Sequence, residues 1–333
     1  MAASLIAALS VAALAGGAAA VNARAARREA RARRSHPPLG QIIALGDRQI
    51  HAVVQGAGPD LVLLHGASGN LRDFTFAFAP MMAAQGFRVI SFDRPGLGYS
   101  GRGDDRHDGF FSATAESPGE QAALLARAAA TLGADRPLVL GHSYGGAVAL
   151  AWALDHPAAA LVVLSGVALP WPGGLGLWYA INGSALGGAL VPPLVSAFAS
   201  GDQVARATLG IFAPDPVPDG YLDHIGPGLI TGRSAFRANA RQVVTLYPHV
   251  VAMAARYPGL TLPVELVHGD ADTIVPLSIH AARAVDIIPG AALTVLPGIG
   301  HMPHHAAAPA VAAAIHRAAI RAGLRPGAGI PIV

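Results

Sequence analysis

From residue 41 onward, short apolar runs alternate with longer stretches in which apolar residues return every third or fourth position. Runs of four to six apolar residues bounded by Gly, Pro or Asp fit buried strands, and the longer stretches fit helices that cover them. Strands are expected at 41–45, 49–54, 60–64, 88–92, 138–141, 160–164, 264–267 and 292–296, and helices near 73–85, 118–132, 146–154, 277–286 and 309–322. Alternation of this kind predicts an α/β fold with a mostly parallel eight-stranded sheet flanked by helices. Gly46-Asp47 joins the first two strands closely enough for a hairpin, which makes the sheet mixed.

The rhythm changes between residue 168 and about 262. Gly and Pro punctuate short apolar helices there, at 189–198 and 235–247 among others. The expected organisation is a core in two parts, 41–167 and 263–333, with 168–262 inserted as a helical cap over the carboxyl edge of the sheet. Apolar cap residues, namely Leu175, Leu177, Trp178, Tyr179, Leu190, Val191, Leu194 and Phe198, are expected to wall an apolar pocket.

Residues 1–40 read differently. Positions 2–21 carry no charge and are just long enough to span a bilayer, and Arg24 to Arg34 follow at once. A cleaved signal places its positive charge before the apolar core, whereas charge placed after it holds that flank in the cytoplasm. The expectation is one N-terminal membrane anchor and an Arg-rich linker, with the rest of the chain on the cytoplasmic face. The alternative is secretion after cleavage near Ala18-Ala19-Ala20.

Composition narrows the function. All 23 basic residues are Arg, and six of them precede residue 40 against the single acid Glu29. Of the formal net charge of +3, the first forty residues carry +5, leaving the body of the chain at −2. Nothing there attracts a phosphate backbone, so no nucleic-acid partner is expected. The absence of cysteine excludes disulfides, thiolate-bound metal and a cysteine nucleophile.

The strongest chemical signal is Gly141-His142-Ser143-Tyr144-Gly145, a G-x-S-x-G at the junction of a strand and a helix. Glycines there permit a turn too sharp for side chains, which lifts the serine above the strand at a helix N-terminus. A serine hydroxyl needs a base, usually His oriented by a carboxylate, and on this architecture acid and then His should follow on later strand ends. One strand end carries Asp270 and Asp272, and the next carries His301 after Gly298 and Gly300. His304 and His305 lack the carboxylate spacing of a metal site, and no H-E-x-x-H occurs, so no metal and no cofactor is expected.

Over residues 41–321 the chain resembles the α/β-hydrolase superfamily. Four motifs carry the resemblance in order: His65-Gly66, then Asp93-Arg94-Pro95-Gly96-Leu97-Gly98-Tyr99-Ser100, then the Ser143 elbow, then Gly269-Asp270-Ala271-Asp272 with Pro276 and Gly300-His301. The resemblance implies Ser143 as nucleophile, His301 as general base and then acid, and Asp272 as the residue orienting it. The family spacing falls on Gly269, Asp272 and Pro276, leaving Asp270 as the rival that caps the turn. It further implies an oxyanion hole from the backbone N–H groups of Ala67 and Tyr144, with Asp93, Arg94 and His65 bracing loops and His142 a bystander. His224 and His249 are expected to pack or face solvent.

Cap-bearing relatives that cleave epoxides or carbon–halogen bonds use Asp at the elbow, so Ser143 points to acyl chemistry on a carboxylic ester of a small-to-medium apolar substrate. The same three residues would also serve a carbon–carbon bond hydrolase acting on a ketone, a lactonase or a perhydrolase. A carbon–carbon hydrolase would need cap cations such as Arg206, Arg233, Arg237 or Arg241 for its substrate's carboxylates. A catalytically silent binding protein on the same fold is the alternative of another class.

Overall fold

The computed structural model describes residues 1–326. Its strands are β1 (Gln41–Leu45), β2 (Arg48–Gln55), β3 (Asp60–Leu64), β4 (Arg88–Phe92), β5 (Leu138–His142), β6 (Ala160–Leu164), β7 (Val264–Gly269) and β8 (Ala292–Leu296). They form one sheet in the order β1-β2-β4-β3-β5-β6-β7-β8. β2 pairs antiparallel with β1 and with β4, and every other pair is parallel. All eight expected strands are present, within two residues of their expected ends.

Successive side chains of a strand point to opposite faces, and here both faces are apolar because both are covered. Leu61 and Leu63 join Phe74, Phe78, Met82 and Ile315 on one side, while Val62 and Leu64 join Leu125, Val148 and Trp152 on the other. The first side is roofed by α2 (Arg72–Thr75), α3 (Phe78–Ala84) and α14 (Ala308–Arg321), the second by α4 (Pro118–Thr131), α5 (Tyr144–Asp155) and α12 (Ala281–Ile287). Ser117 and Glu120 start α4 with a reciprocal capping box, and Pro118 occupies its first turn. The single helix expected at 73–85 is instead two, because the backbone leaves helical geometry at Ala77.

Between β6 and β7 lie α6 (Gly176–Gly183), α7 (Ala185–Phe198), α8 (Gly201–Phe212), α9 (Tyr221–Ile225), α10 (Pro227–Ile230) and α11 (Arg233–Ala254). The helix expected at 235–247 runs longer, through Pro248, and α7 contains Pro192 and Pro193. A short α13 (Pro303–Ala306) follows β8.

The Arg-rich stretch is not an extended linker. It continues the apolar segment as one helix, α1 (Ala2–Ser35), and only residues 36–40 break into coil. Ala and Arg are both strong helix formers, which accounts for the continuity. Among the described residues, α1 is the one unbroken helix long and apolar enough to cross a membrane.

Sheet order sets where a ligand can reach. From β3 the chain moves one way to β4 and the other way to β5, so the loops after β3 and β5 diverge and leave a crevice at their carboxyl ends. Two glycines hold that crevice in shape. A Cβ on Gly141 would lie 2.0 Å from the Gly145 carbonyl oxygen, and one on Gly145 would lie 2.2 Å from that of Leu64.

Gly145→Ala is therefore expected to cost about 1–3 kcal/mol or more in denaturant unfolding, since the colliding atom is backbone. Gly210→Ala, in α8 with open space around it, is expected to be neutral or stabilising by up to about 1 kcal/mol.

Candidate active site

Ser143 sits between β5 and α5 with φ +55° and ψ −120°, a region an L-residue occupies only when its surroundings force it. The Ser143 N–H donates to Leu164 O at 3.0 Å and the Gly146 N–H to Ser143 O at 2.9 Å, pinning the turn from both sides. The hydroxyl consequently stands over the carboxyl edge of the sheet, close to the loops that follow β7 and β8.

Those loops bring the other two residues to it. Ser143 Oγ donates to His301 Nε2 at 2.9 Å, and His301 Nδ1 donates to Asp272 Oδ2 at 2.8 Å. The remaining oxygen of Asp272 accepts the N–H groups of Ile274 and Val275, both at 2.9 Å. Burial pushes the Asp272 carboxyl up, but hydrogen bonds from His268, His301 and the Val275 N–H outweigh it and hold the group well below the usual carboxylate range. Asp270, by contrast, is exposed and its carboxylate accepts the Gly298 N–H at 2.6 Å, tying the two loops together. The His301 loop is fixed from the inserted helices too. Asp215 accepts the Gly300 N–H at 2.7 Å, and a side chain at 300 would strike the Ala213 carbonyl.

Ala67 and Tyr144 both border the cavity at Ser143, and among the described residues neither backbone N–H has a hydrogen-bond partner. Two free N–H donors beside a hydroxyl form a recess suited to a negatively charged oxygen. The loop carrying Ala67 is held by Arg94, whose guanidinium donates to His65 O at 2.9 Å and Gly66 O at 3.0 Å and lies 4.3 Å from the Tyr144 ring centroid. Complete burial lowers Arg94 to about 10. The Arg94 N–H donates to His65 Nε2 at 3.0 Å, and burial lowers His65 to about 4. Asp93 accepts the N–H groups of Leu71 and Tyr99 and the Nδ1–H of His51. His142 borders the smaller cavity at Ser143, and its Nε2 donates to the backbone oxygen of His301 at 2.8 Å.

Sequence reasoning missed Asp73. It is buried beside the same cavity and accepts Tyr221 OH at 2.8 Å, His305 Nε2 at 2.9 Å and His304 Nε2 at 3.1 Å. Burial raises it, yet the two imidazoles hold it well below its ordinary value. Donor atoms of Asp73, His142 and His304 lie within 4.8 Å of one another, the closest approach to a metal-binding set among the described residues. Both Asp73 oxygens already accept hydrogen bonds, whereas the buried Nδ1 atoms of His142 and His304 have no partner among the described residues.

Two cavities meet at Ser143. The larger, about 360 Å³, is walled by Val167, Trp171, Leu175, Tyr179, Val243 and Leu246. The smaller, about 130 Å³, is bordered by Asp73, His142, Tyr221 and Met302. Of the apolar residues expected to wall the pocket, Leu175 and Tyr179 do so, whereas half-buried Val191 borders neither cavity and Leu177, Trp178, Leu190, Leu194 and Phe198 are exposed on the outer surface. Helices α6 and α7 turn that face away from the sheet.

Residues 61–314 match the model of the Alpha/beta hydrolase family. The chain belongs to that family. Among its relatives, this alpha/beta hydrolase is similar to an uncharacterized Mycobacterium tuberculosis protein, 29% identical over 263 residues that cover 76% of this chain and 72% of the other. Its fold is similar to that of an esterase from Thermogutta terrifontis, with TM-score 0.65 and 19% identity over 85% of this chain and 99% of the esterase. It is similar also to a bacterial membrane phospholipase A, with TM-score 0.65 and 19% identity over 98% of this chain and 100% of the other.

The buried imidazoles give the alpha/beta hydrolase a pH signature. Burial lowers His65, His280 and His304 to about 4, whereas an unfolded histidine titrates near 6.5. Between those values the unfolded chain binds more protons, so stability rises with pH there. The denaturant midpoint is expected to fall as pH drops from about 6.5 towards 4, with each histidine contributing on the order of 1–3 kcal/mol.

Proposed function

We propose that this alpha/beta hydrolase is a serine hydrolase that cleaves carboxylic esters of small-to-medium apolar substrates. The observation that carries the reading is the unbroken Ser143–His301–Asp272 hydrogen-bond chain opening into an apolar cavity of about 360 Å³. That volume lies within the range of small-molecule sites.

On this reading, Ser143 Oγ attacks the ester carbonyl carbon while its proton passes to His301 Nε2. The carbonyl oxygen, now negative, accepts the N–H groups of Ala67 and Tyr144, a contribution of roughly 2.7–4 kcal/mol per donor in comparable sites. Collapse breaks the carbon–oxygen bond to the alcohol, which leaves with the proton from His301 and an acyl group on Ser143. Water then attacks the acyl carbon, gives its proton to His301, and the acid departs as Ser143 recovers its proton. Asp272 stays ionised throughout and stabilises the imidazolium. The apolar part of the substrate occupies the larger cavity.

Residues 168–262 act as the cap that closes this site, and α1 anchors the chain in a membrane with the catalytic domain on the cytoplasmic face. Its apolar length followed by six arginines supports the anchor over a cleaved signal. A carbon–carbon hydrolase reading lacks its cations. Arg233 pairs with Glu29, Arg237 donates to Gly188 O, Arg241 to the carbonyls of His107, Gly109 and Phe110, and Arg206 is exposed. None of the four borders either cavity at Ser143.

Hydrolysis of p-nitrophenyl esters of increasing acyl length should show an optimum above acetate, and Ser143→Ala should reduce kcat by about 10⁶. Asp272→Asn should lower kcat by about 10⁴ through the wrong imidazole tautomer, whereas Asp270→Asn should stay within about threefold of the parent. Equal losses in the two Asp variants would reassign the acid.

A further inference from the structure

We propose that the outer face of α6 and α7 is a second membrane contact, seated on the same phospholipid surface that α1 enters, so that the site draws esters dissolved in the bilayer. The substrate part of this inference rests on the esterase reading; the contact itself does not.

The face is built the wrong way round for a soluble helix. The buried positions of α7 are Gly188, Ala189, Pro192, Pro193, Ser196 and Ala197. Its large apolar side chains, Leu186, Leu190, Leu194 and Phe198, recur every fourth residue on the opposite side and are exposed, Leu186 by 68%. Four-residue spacing puts them in one row. Helix α6 adds Leu177, exposed by 75%, with Trp178 and Ile181. A contiguous apolar surface of this kind marks an interaction site rather than scattered exposure.

What covers it follows from where α1 leaves the body. Arg24 donates to Ala197 O at 2.8 Å and its guanidinium lies 5.1 Å from the Phe198 ring centroid. Arg28 reaches Ala197 O at 2.9 Å and Ala199 O at 2.6 Å. Glu29 accepts Ser196 Oγ at 3.1 Å and a pair of bonds from Arg233 at 2.8 and 2.9 Å, while Ala25 is completely buried between them. The apolar segment ends at Val21, three residues before Arg24, or about 4.5 Å along the helix axis. With that segment in a bilayer, the end of α7 lies at headgroup depth and cannot be withdrawn without breaking the clamp. Arg27, Arg31 and Arg34 are exposed beside it, and among the described residues no acid pairs with them, which suits anionic lipid.

The same face adjoins the site. Tyr179 of α6 borders both cavities at Ser143, while its neighbours Leu177 and Trp178 face outward. Trp171 and Leu175, just before α6, wall the larger cavity. One turn of helix thus separates the apolar surface from the apolar pocket, a short path for an ester leaving the bilayer.

The test uses the full chain in vesicles of phosphatidylethanolamine and phosphatidylglycerol, some carrying brominated acyl chains. Trp178 fluorescence, taken as the difference from Trp178→Phe, should be quenched. Replacing Leu186, Leu190 and Leu194 together by Ser should abolish the quenching and reduce hydrolysis of a long-chain ester dissolved in the bilayer by at least about tenfold. Hydrolysis of soluble p-nitrophenyl acetate should change by less than about twofold, which reports an intact fold. Unquenched Trp178 in a chain that resists carbonate extraction would overturn the contact and leave the anchor standing. Unquenched Trp178 in a chain that carbonate releases would overturn both. A dimer that the Leu→Ser variant dissociates, without lipid quenching, would assign the face to a second copy and overturn the proposal. Quenching without any esterase activity would uphold the contact and remove the esterase reading.

Discussion

The first turn of α5 is pressed against the ends of β3 and β5, and the rest of the site depends on that approach. Gly141 and Gly145 leave no room for a Cβ, and the chain between them can turn only with Ser143 at positive φ. That strain points the hydroxyl out of the sheet and leaves the N–H groups of Ala67 and Tyr144 free of partners among the described residues. A larger residue at either glycine would separate helix from strand and move the hydroxyl away from His301. Backbone geometry at this turn places the hydroxyl, and the side chains of Asp272 and Asp215 hold His301 and its loop, so that the two meet at 2.9 Å.

Around this turn the alpha/beta hydrolase buries several polar groups that tie one loop to another. Arg94 gathers the carbonyls of the β3 loop together with Gln121 and Gln242, and Asp93 collects Leu71, Tyr99 and His51. Asp73 joins α2 to Tyr221 of the inserted helices and to His304 and His305 after β8. Buried charge of this kind adds little net stability, because desolvation offsets much of the attraction. Its effect is positional: the segments that follow β3, β4, β6 and β8 are held in one arrangement around Ser143.

Much of this was legible in the sequence, and the reason differs from element to element. Strands were visible because each is a short apolar run closed by Gly, Pro or Asp, and both sheet faces are covered. Ser143, Asp272 and His301 were visible because each follows such a run with its own turn residues, although their convergence belongs to the sheet order. Asp73 was hidden, since its partners lie 148 to 232 positions away and no local pattern announces them. The break at Ala77 and the short helices around α9 were hidden for a similar reason: packing, not periodicity, sets them. The apolar row of α7 was visible as a pattern but its direction was not. An amphipathic helix reveals two faces, and only the clamp with α1 shows which is outermost.

The central claim is that Ser143 is an activated nucleophile. The most direct measurement is treatment of the full-length protein with a fluorophosphonate, followed by intact-mass analysis and peptide mapping. One adduct per chain at Ser143, lost when His301 is replaced by Gln in a folded variant, is the result expected. A folded protein that takes up no label, or that is labelled at another serine such as the buried Ser165, would contradict it.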